Sequence, residues 1–263
     1  MTSQEGTFAE LVAIIARLRG SDGCPWDREQ THRSLRATFL QECHEVLVAL
    51  DEADSRALRE ELGDLLLHVV LQARIAAESG EFTIGDVIAG ISAKLVSRHP
   101  HVFGVADGGS AEDVARQWEG LKQVEKGRRD SILDGVPAEL PALGYSQEIQ
   151  ERVGRVGFDW EEDDGVVDKL AEEVRELRDA DGLERRSEEY GDLLFTLANI
   201  ARRQGVDLEA ALRQANRRFY RRFAHMEAVC RRRGVVIGDL SFGEQNVLWD
   251  EAKRALDEDA AGV

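Results

Sequence analysis

The stretch Phe39-Leu-Gln-Glu-Cys-His-Glu-Val-Leu-Val-Ala-Leu50, followed by Glu60-Glu-Leu-Gly-Asp-Leu-Leu66 and an apolar run to Ala77, decides how this chain is read. As a helix, Phe39 to Leu50 is apolar around almost its whole circumference, and Glu42 and Glu45 interrupt it at i and i+3, on one face. The short connection through Asp51–Arg56 implies that the next helix returns antiparallel. At its head Glu61 and Asp64 repeat the i, i+3 spacing, so two helices bring four carboxylates together. Four like charges on core-forming helices repel and lose hydration; raised pKa values or a bound cation relieve them. Carboxylate oxygens without a nearby cluster of His or Cys suit a hard ion, Mg²⁺ or Mn²⁺.

Taken singly, such a pair is more simply a solvated helix face. Two features argue otherwise: the flanking residues are apolar on both helices, and the set recurs. Trp26-Asp27 has a counterpart in Phe158-Asp159, and Glu42/Glu45 in Glu173/Glu176. Glu61-Leu-Gly-Asp64-Leu-Leu matches Glu189-Tyr-Gly-Asp192-Leu-Leu, Lys94/Arg98 matches Arg218/Arg222, and Trp118/Lys122 matches Trp249/Lys253. These pairs keep their order at nearly constant offset, which predicts a duplicated helical domain. A di-iron carboxylate bundle would need Glu-x-x-His pairs, and neither acidic helix pair supplies one. His68 lies one turn after Asp64, but its counterpart is Thr196, which favours a core or supporting histidine over a ligand.

The rest of the chain fits this frame. Only four prolines occur among 263 residues (Pro25, Pro100, Pro137, Pro141), and the long proline-free stretches carry helical apolar spacing, so the expected class is all-α. The spacing predicts helices over 6–19, 33–52, 56–79, 84–98, 111–127, 140–153, 164–180, 183–204, 207–232 and 243–258. Thr83 with Asp86, Ser110 with Asp113 and Ser241 with Glu244 are capping-box patterns. The run Gly234-Val-Val-Ile-Gly238 is too short, and too close to glycine, for a strand. The segment Asp134–Gly144 carries both mid-chain prolines and predicts a linker. The expected domains are 1–130 and 146–263, joined by 131–145.

Hydrophobic residues make up 43 % and charged residues 32 %, a balance with room for a core. The net charge of −17 argues against a nucleic-acid or anionic-membrane footprint. Neither half is basic: 1–130 has 15 basic against 22 acidic residues, and 131–263 has 19 against 29. Leu65–Ala77 contains His68, Gln72 and Arg74 and is too short and polar to span a bilayer. No basic region precedes the first apolar stretch, so no signal peptide is expected. Cys24, Cys43 and Cys230 form no paired framework, which fits a reducing, cytoplasmic setting.

Arginines supply the complement to the acids. Residues 202–233 hold ten, among them Arg218 and Arg222 one turn apart. Arg231–Arg233 read as a solvated helix C-terminus. Arg218 and Arg222 lean towards phosphate binding, because Lys94 and Arg98 sit at the matching place and a metal with arginine is a recurring polyphosphate clamp. Trp118 and Trp249 are most simply core anchors, with stacking or lid roles open. No GxxxxGK[ST], GxSxG or HExxH pattern occurs.

The Glu-x-x-Glu and Glu-x-x-Asp motifs, with Gly23-Cys-Pro-Trp-Asp-Arg-Glu-Gln-Thr-His32, Arg98-His-Pro-His-Val-Phe103 and Val156-Gly-Phe-Asp-Trp160, resemble the MazG family of all-α nucleoside triphosphate pyrophosphohydrolases, over about Leu11 to Lys253. The resemblance implies two tandem MazG-like helical bundles and a homodimer. It also implies Mg²⁺-dependent hydrolysis of NTPs and dNTPs to the monophosphate and diphosphate. It places metal ligands on Glu173, Glu176, Glu189 and Asp192 and, in the first half, on Glu42, Glu45, Glu61 and Asp64. It places phosphate contacts on Arg218, Arg222 and Lys253, with Lys94, Arg98, Trp118 and Lys122 as first-half counterparts. Trp249, Asn199 and Asn216 fall near the nucleotide. The family's adjacent glutamates persist as Glu172-Glu173 but become Gln41-Glu42, and Arg218 stands where a lysine is usual. Gln41 has no anionic oxygen, which weakens a water-activating role in the first half. The resemblance implies that the C-terminal domain is the main catalytic one, and the full acid set and denser arginines there agree; Glu172 is the candidate proton acceptor, and the N-terminal site is expected to be metal-competent. The rival readings are a regulatory helical module and a hydrolase of a modified nucleotide or alarmone.

Overall fold

Among the described residues the long proline-free apolar stretches form helices, and side-chain caps mark where five of them start. The computed structural model describes residues 6–104, 109–110, 113–114, 117–118 and 131–261, with side chains as far as Leu256. Among these residues there is no strand, as the spacing predicts. The chain divides into two units, Met1–Arg128 and Arg129–Val263.

In the first unit, α1 (Phe8–Leu18) opens on a capping box between Thr7 and Glu10. A short turn of helix, α2 (Pro25–Glu29), precedes α3 (Arg36–Asp51). The connection to α4 (Ser55–Glu78) passes through Ala53 in the left-handed region (φ 52°). Asp54 caps α4 by accepting from the Arg56 and Ala57 amides at 2.9 and 3.0 Å. The capping box of Thr83 and Asp86 starts α5 (Ile84–Arg98), and α6 (Pro100–Phe103) follows at once. Ile15, Leu35, Val70, Leu71 and Ile75 form the core. Each such side chain contributes about 1.5–3 kcal/mol by leaving water. The long, nearly uninterrupted contact is α3 against α4, and it carries the first acidic group.

The second unit repeats this order. It contains α7 (Ala142–Gly154), α8 (Asp163–Asp179), α9 (Leu183–Arg203), α10 (Leu208–Arg233), a 3₁₀ turn (Ile237–Asp239) and α11 (Phe242–Ala261). α8 and α9 pair along their length, joined through Gly182 at φ 84°, a conformation that favours glycine. α10 ends on Gly234 (φ 68°), and Ser241 with Glu244 caps α11 as expected. Met226, Val229, Cys230, Leu248 and Ala252 form its core.

Several boundaries differ from those predicted. α3 begins at Arg36 because Thr31 and Ser34 hydrogen-bond each other's amides in a turn. α7 begins at Ala142, inside the expected linker, directly after Pro141. Arg152 Nη1 donates to the carbonyls of Ile132 and Asp134 at 3.4 and 3.0 Å, tying that segment to the second unit. The two short helices were not foreseen; each starts with proline at its first position, a usable signal. Most of the predicted helix 111–127 lies outside the described residues. All three cysteines are free, and no described helix is long and apolar enough to cross a membrane.

Candidate functional site

Two carboxylate groups stand where the paired motifs place them. In the first unit, Glu42 and Glu45 on α3 and Glu61 on α4 each bring a carboxylate oxygen within 4.8 Å of the others. Lost hydration raises the Glu42 pKa most; its hydrogen bond with Glu45 and the charges of Glu45, Asp64 and Glu61 raise it further. Glu61 is raised by lost hydration and then by the charges of Glu45, Asp64 and Glu60. Asp64 is thus close enough to act on both, although it stands outside the tight group. Gln41, where the second half has Glu172, donates to Glu45 Oε1 at 3.0 Å. His68 is buried with its ring edge on Phe39, and burial lowers its pKa against the pull of Asp64. Its Nδ1 has no hydrogen-bond partner.

In the second unit, Glu173 on α8 gathers with Glu189 and Asp192 on α9, again within 4.8 Å. Glu173 is 3 % exposed and Glu189 8 %, whereas Asp192 faces solvent. Glu173 and Glu189 owe this burial to the α8–α9 contact, which excludes water along the shared face. Lys169 Nζ lies 2.8 Å from Glu173 Oε1 and 2.7 Å from Glu172 Oε1. Arg185 Nε lies 3.5 Å from Glu189 Oε1. Lys169 and Arg185 stand four residues before Glu173 and Glu189, respectively, an i, i+4 signal that the sequence carries. The hydrogen bonds to Glu172 and then Glu173 raise the Lys169 pKa, and the same bond holds Glu172 below the usual carboxylate range. Glu173 Oε2 is buried and has no partner. Glu176, one turn on, is exposed and stands outside the group.

The predicted cations gather on a different helix pair. Arg222 on α10 lies over the Trp249 ring of α11, 5.8 Å from its centroid, and Phe219 packs on the same ring at 5.2 Å. Lys253 pairs with Asp250 at 3.2 Å, while Arg218 and Asn216 are exposed. The first unit repeats the motif: Arg98 lies 5.5 Å over Trp118, whose ring meets His99 at 4.6 Å. Lys94 is exposed, and Lys122 lies outside the described residues. Asn199, on α9, accepts from Arg202 Nε and Nη2 at 3.2 and 2.7 Å.

The donor set at both groups is carboxylate oxygen, which fits a hard divalent cation. The orphaned, buried Glu173 Oε2 fits the same ligand, because a buried anionic oxygen is costly without a cation or donor.

Comparisons with known proteins agree. Residues 30–103 match the MazG nucleotide pyrophosphohydrolase domain, and residues 147–219 match a family described as phosphoribosyl-ATP pyrophosphohydrolase. The chain is 44 % identical to the nucleoside triphosphate pyrophosphohydrolase/pyrophosphatase MazG of Thermotoga maritima, over 94 % of this chain and 95 % of that one. It is 41 % identical to the nucleoside triphosphate pyrophosphohydrolase of Escherichia coli K12, over 93 % of this chain and 96 % of that one. Bacillus subtilis YabN is 43 % identical over 94 % of this chain, which spans about half of YabN. Both acidic helix pairs thus fall inside pyrophosphohydrolase domain matches, and the likeness to whole relatives runs nearly end to end: the chain belongs to the MazG family of nucleotide pyrophosphohydrolases.

Proposed function

We propose that this chain is a nucleoside triphosphate pyrophosphohydrolase. It cleaves NTPs and dNTPs between the α and β phosphates to the monophosphate and diphosphate, with Mg²⁺ as cofactor and Mn²⁺ as a substitute. The observation that carries the reading is the acidic group of Glu173, Glu189 and Asp192, in which the two glutamates are buried and one Glu173 oxygen is unpartnered. A divalent cation held there supplies charge that neutralises phosphate oxygens. Glu176 joins the ligand set by side-chain rotation from its exposed position one turn along α8. Glu172 takes the proton of the attacking water once its pair with Lys169 at 2.7 Å loosens, because that pair lowers its basicity while it lasts. Arg218, Arg222 and Lys253 neutralise the leaving diphosphate, and Trp249 holds the Arg222 guanidinium in place. Asn199 and Asn216 contact the nucleoside portion.

The C-terminal site is proposed as the main one. Its glutamates are more deeply buried than the first-unit set, its adjacent acid pair is complete, and Lys169 and Arg185 stand beside it. The first-unit group of Glu42, Glu45, Glu61 and Asp64 holds a cation, with Lys94, Arg98, Trp118 and Lys122 as its phosphate side. The shared arrangement of carboxylates and of arginine over tryptophan supports an origin by duplication of the two units, Met1–Arg128 and Arg129–Val263. A homodimer is supported by α5, on which Val87, Ile88, Ile91 and Leu95 are exposed. The three free cysteines favour the cytoplasm, and the acidic surface disfavours nucleic acid and anionic membranes as partners.

The test is product analysis with a panel of NTPs and dNTPs plus Mg²⁺. Monophosphate and diphosphate, lost on chelation, are the expected outcome. Nucleoside diphosphate and phosphate would refute the cleavage position. Cation binding without turnover would point to a regulatory module or a modified nucleotide.

A further inference from the structure

Phe219 on α10 is an exposed aromatic ring with two aromatic neighbours. At 60 % exposure it is no part of the core of the second unit. Its ring packs on Trp249 of α11 at 5.2 Å between centroids, tilted by 47°, and stacks on Phe223 at 6.2 Å and 10°. Ring pairs of this kind stabilise beyond the area they bury, so Phe219 is held in one place although it faces water.

Its neighbours in the chain are the cations of the phosphate side. Arg218 precedes it, and Arg222 follows one turn later and lies over the same Trp249 ring, 5.8 Å from its centroid. Lys253 stands one turn beyond Trp249 on α11. Trp249 also packs against the core of Met226, Val229, Cys230, Leu248 and Ala252, so the indole is held by that core and by Phe219. An arginine side chain has many rotamers, and the ring beneath its guanidinium narrows them only if that ring is itself fixed.

The first unit makes the same contact with a different residue. Arg98 lies over Trp118, and it is His99, the residue after Arg98, whose ring meets the indole at 4.6 Å. On the spacing that matches Lys94/Arg98 with Arg218/Arg222, the counterpart of Phe219 is Leu95 and that of His99 is Phe223. A ring on the tryptophan is thus kept where the residue supplying it is not. Duplication of a position does not account for that, whereas a need to fix the indole under the arginine does.

We propose that Phe219 is a positioning residue for the diphosphate end of the C-terminal site. It fixes Trp249, and through that indole the Arg222 guanidinium, against the leaving group. The assignment rests on the pyrophosphohydrolase reading of the site. Phe219 itself touches neither phosphate nor metal.

The test is a double-mutant cycle with two readouts. One is kcat/KM for a nucleoside triphosphate; the other is the inhibition constant of inorganic diphosphate, which occupies the leaving-group end alone. Phe219→Ala lowers kcat/KM about fivefold and raises the diphosphate constant by a similar factor, the scale of one ring contact. Phe219→Tyr keeps both close to those of the unchanged protein. In an Arg222→Ala background the same Phe219→Ala change costs less than about twofold, because the group it positions is gone. A purely structural role costs the same in both backgrounds, and that result overturns the proposal. So does a diphosphate constant unmoved in Phe219→Ala, whose surface position leaves the fold intact. An unchanged protein that releases no diphosphate from nucleoside triphosphates would refute the pyrophosphohydrolase reading itself, and the positioning role with it.

Discussion

Replacing Glu173 by glutamine removes one charge from the C-terminal acidic group at almost constant volume. Two effects then compete in the metal-free protein. The repulsion of Glu173 by Glu189, at no more than 4.8 Å, is worth about 3.5 kcal/mol at an effective dielectric constant near 20. The repulsion by Asp192 is smaller because that carboxylate faces water. Against these stands the Lys169–Glu173 attraction at 2.8 Å, about 6 kcal/mol on the same scale. Lys169 is not stranded by the change, since Glu172 remains 2.7 Å away. The gains and losses nearly cancel, so Glu173→Gln changes metal-free stability by less than about 2 kcal/mol, against the 3–5 kcal/mol of an abandoned buried charge. The cation-dependent part behaves differently. A ligand at a hundred times its Kd stabilises by about 2.7 kcal/mol, and the variant loses most of this. The assay is thermal unfolding with and without MgCl₂, in a Glu45→Gln background so that the first-unit acids contribute less. A metal-free loss above about 4 kcal/mol would show that the Lys169 pair is a structural strut, refuting the balance. An undiminished Mg²⁺ shift would place the cation elsewhere.

Two further outcomes follow from the same geometry. Glu176→Gln abolishes turnover while far-ultraviolet circular dichroism stays unchanged, and Glu45→Gln leaves most of it; full activity in Glu176→Gln removes that side chain from the ligand set. Glu78 is held below its ordinary range, chiefly by the hydrogen bond from Arg19 and with help from Arg74. That stabilisation is complete above the unfolded carboxylate range and fades as pH falls through the lowered folded value. Glu78→Gln therefore weakens the first unit by about 1–2 kcal/mol at pH 7, discounted for partial exposure, and the difference vanishes in acid. Denaturant unfolding at several pH values reads this out, and a difference independent of pH would contradict it.

Much of the architecture was legible because helical spacing, proline placement and capping boxes are local signals. Thr83 with Asp86 and Ser241 with Glu244 form the caps that their types and spacing predict. The carboxylate positions were legible for a related reason: i, i+3 spacing on two consecutive helices, and its recurrence, need no knowledge of distant packing. Side-chain states were less so. The sequence treats Glu173 and Glu176 alike, yet the α8–α9 contact buries one and leaves the other in water. Lys169 and Arg185 were overlooked because a cation four residues before an acid is common on any helix.

A cleft beside α9 was legible only in part: Phe158, Trp160 and Asn199 stand out in the sequence, but Gln150 does not. Gln150, Phe158 and Asn199 come from separate segments, and nothing local says that they meet. Whether an amide is left with a free acceptor depends on which carbonyl its nitrogen reaches, and here that carbonyl is Phe195, 45 residues away. Sequence alone thus determined the long helices and the positions of the acids, because these follow from periodic spacing along the chain, and its motifs carried the resemblance to the family. Tertiary structure alone decided which acids lose water and which cations balance them, because burial and pairing depend on the neighbouring helix.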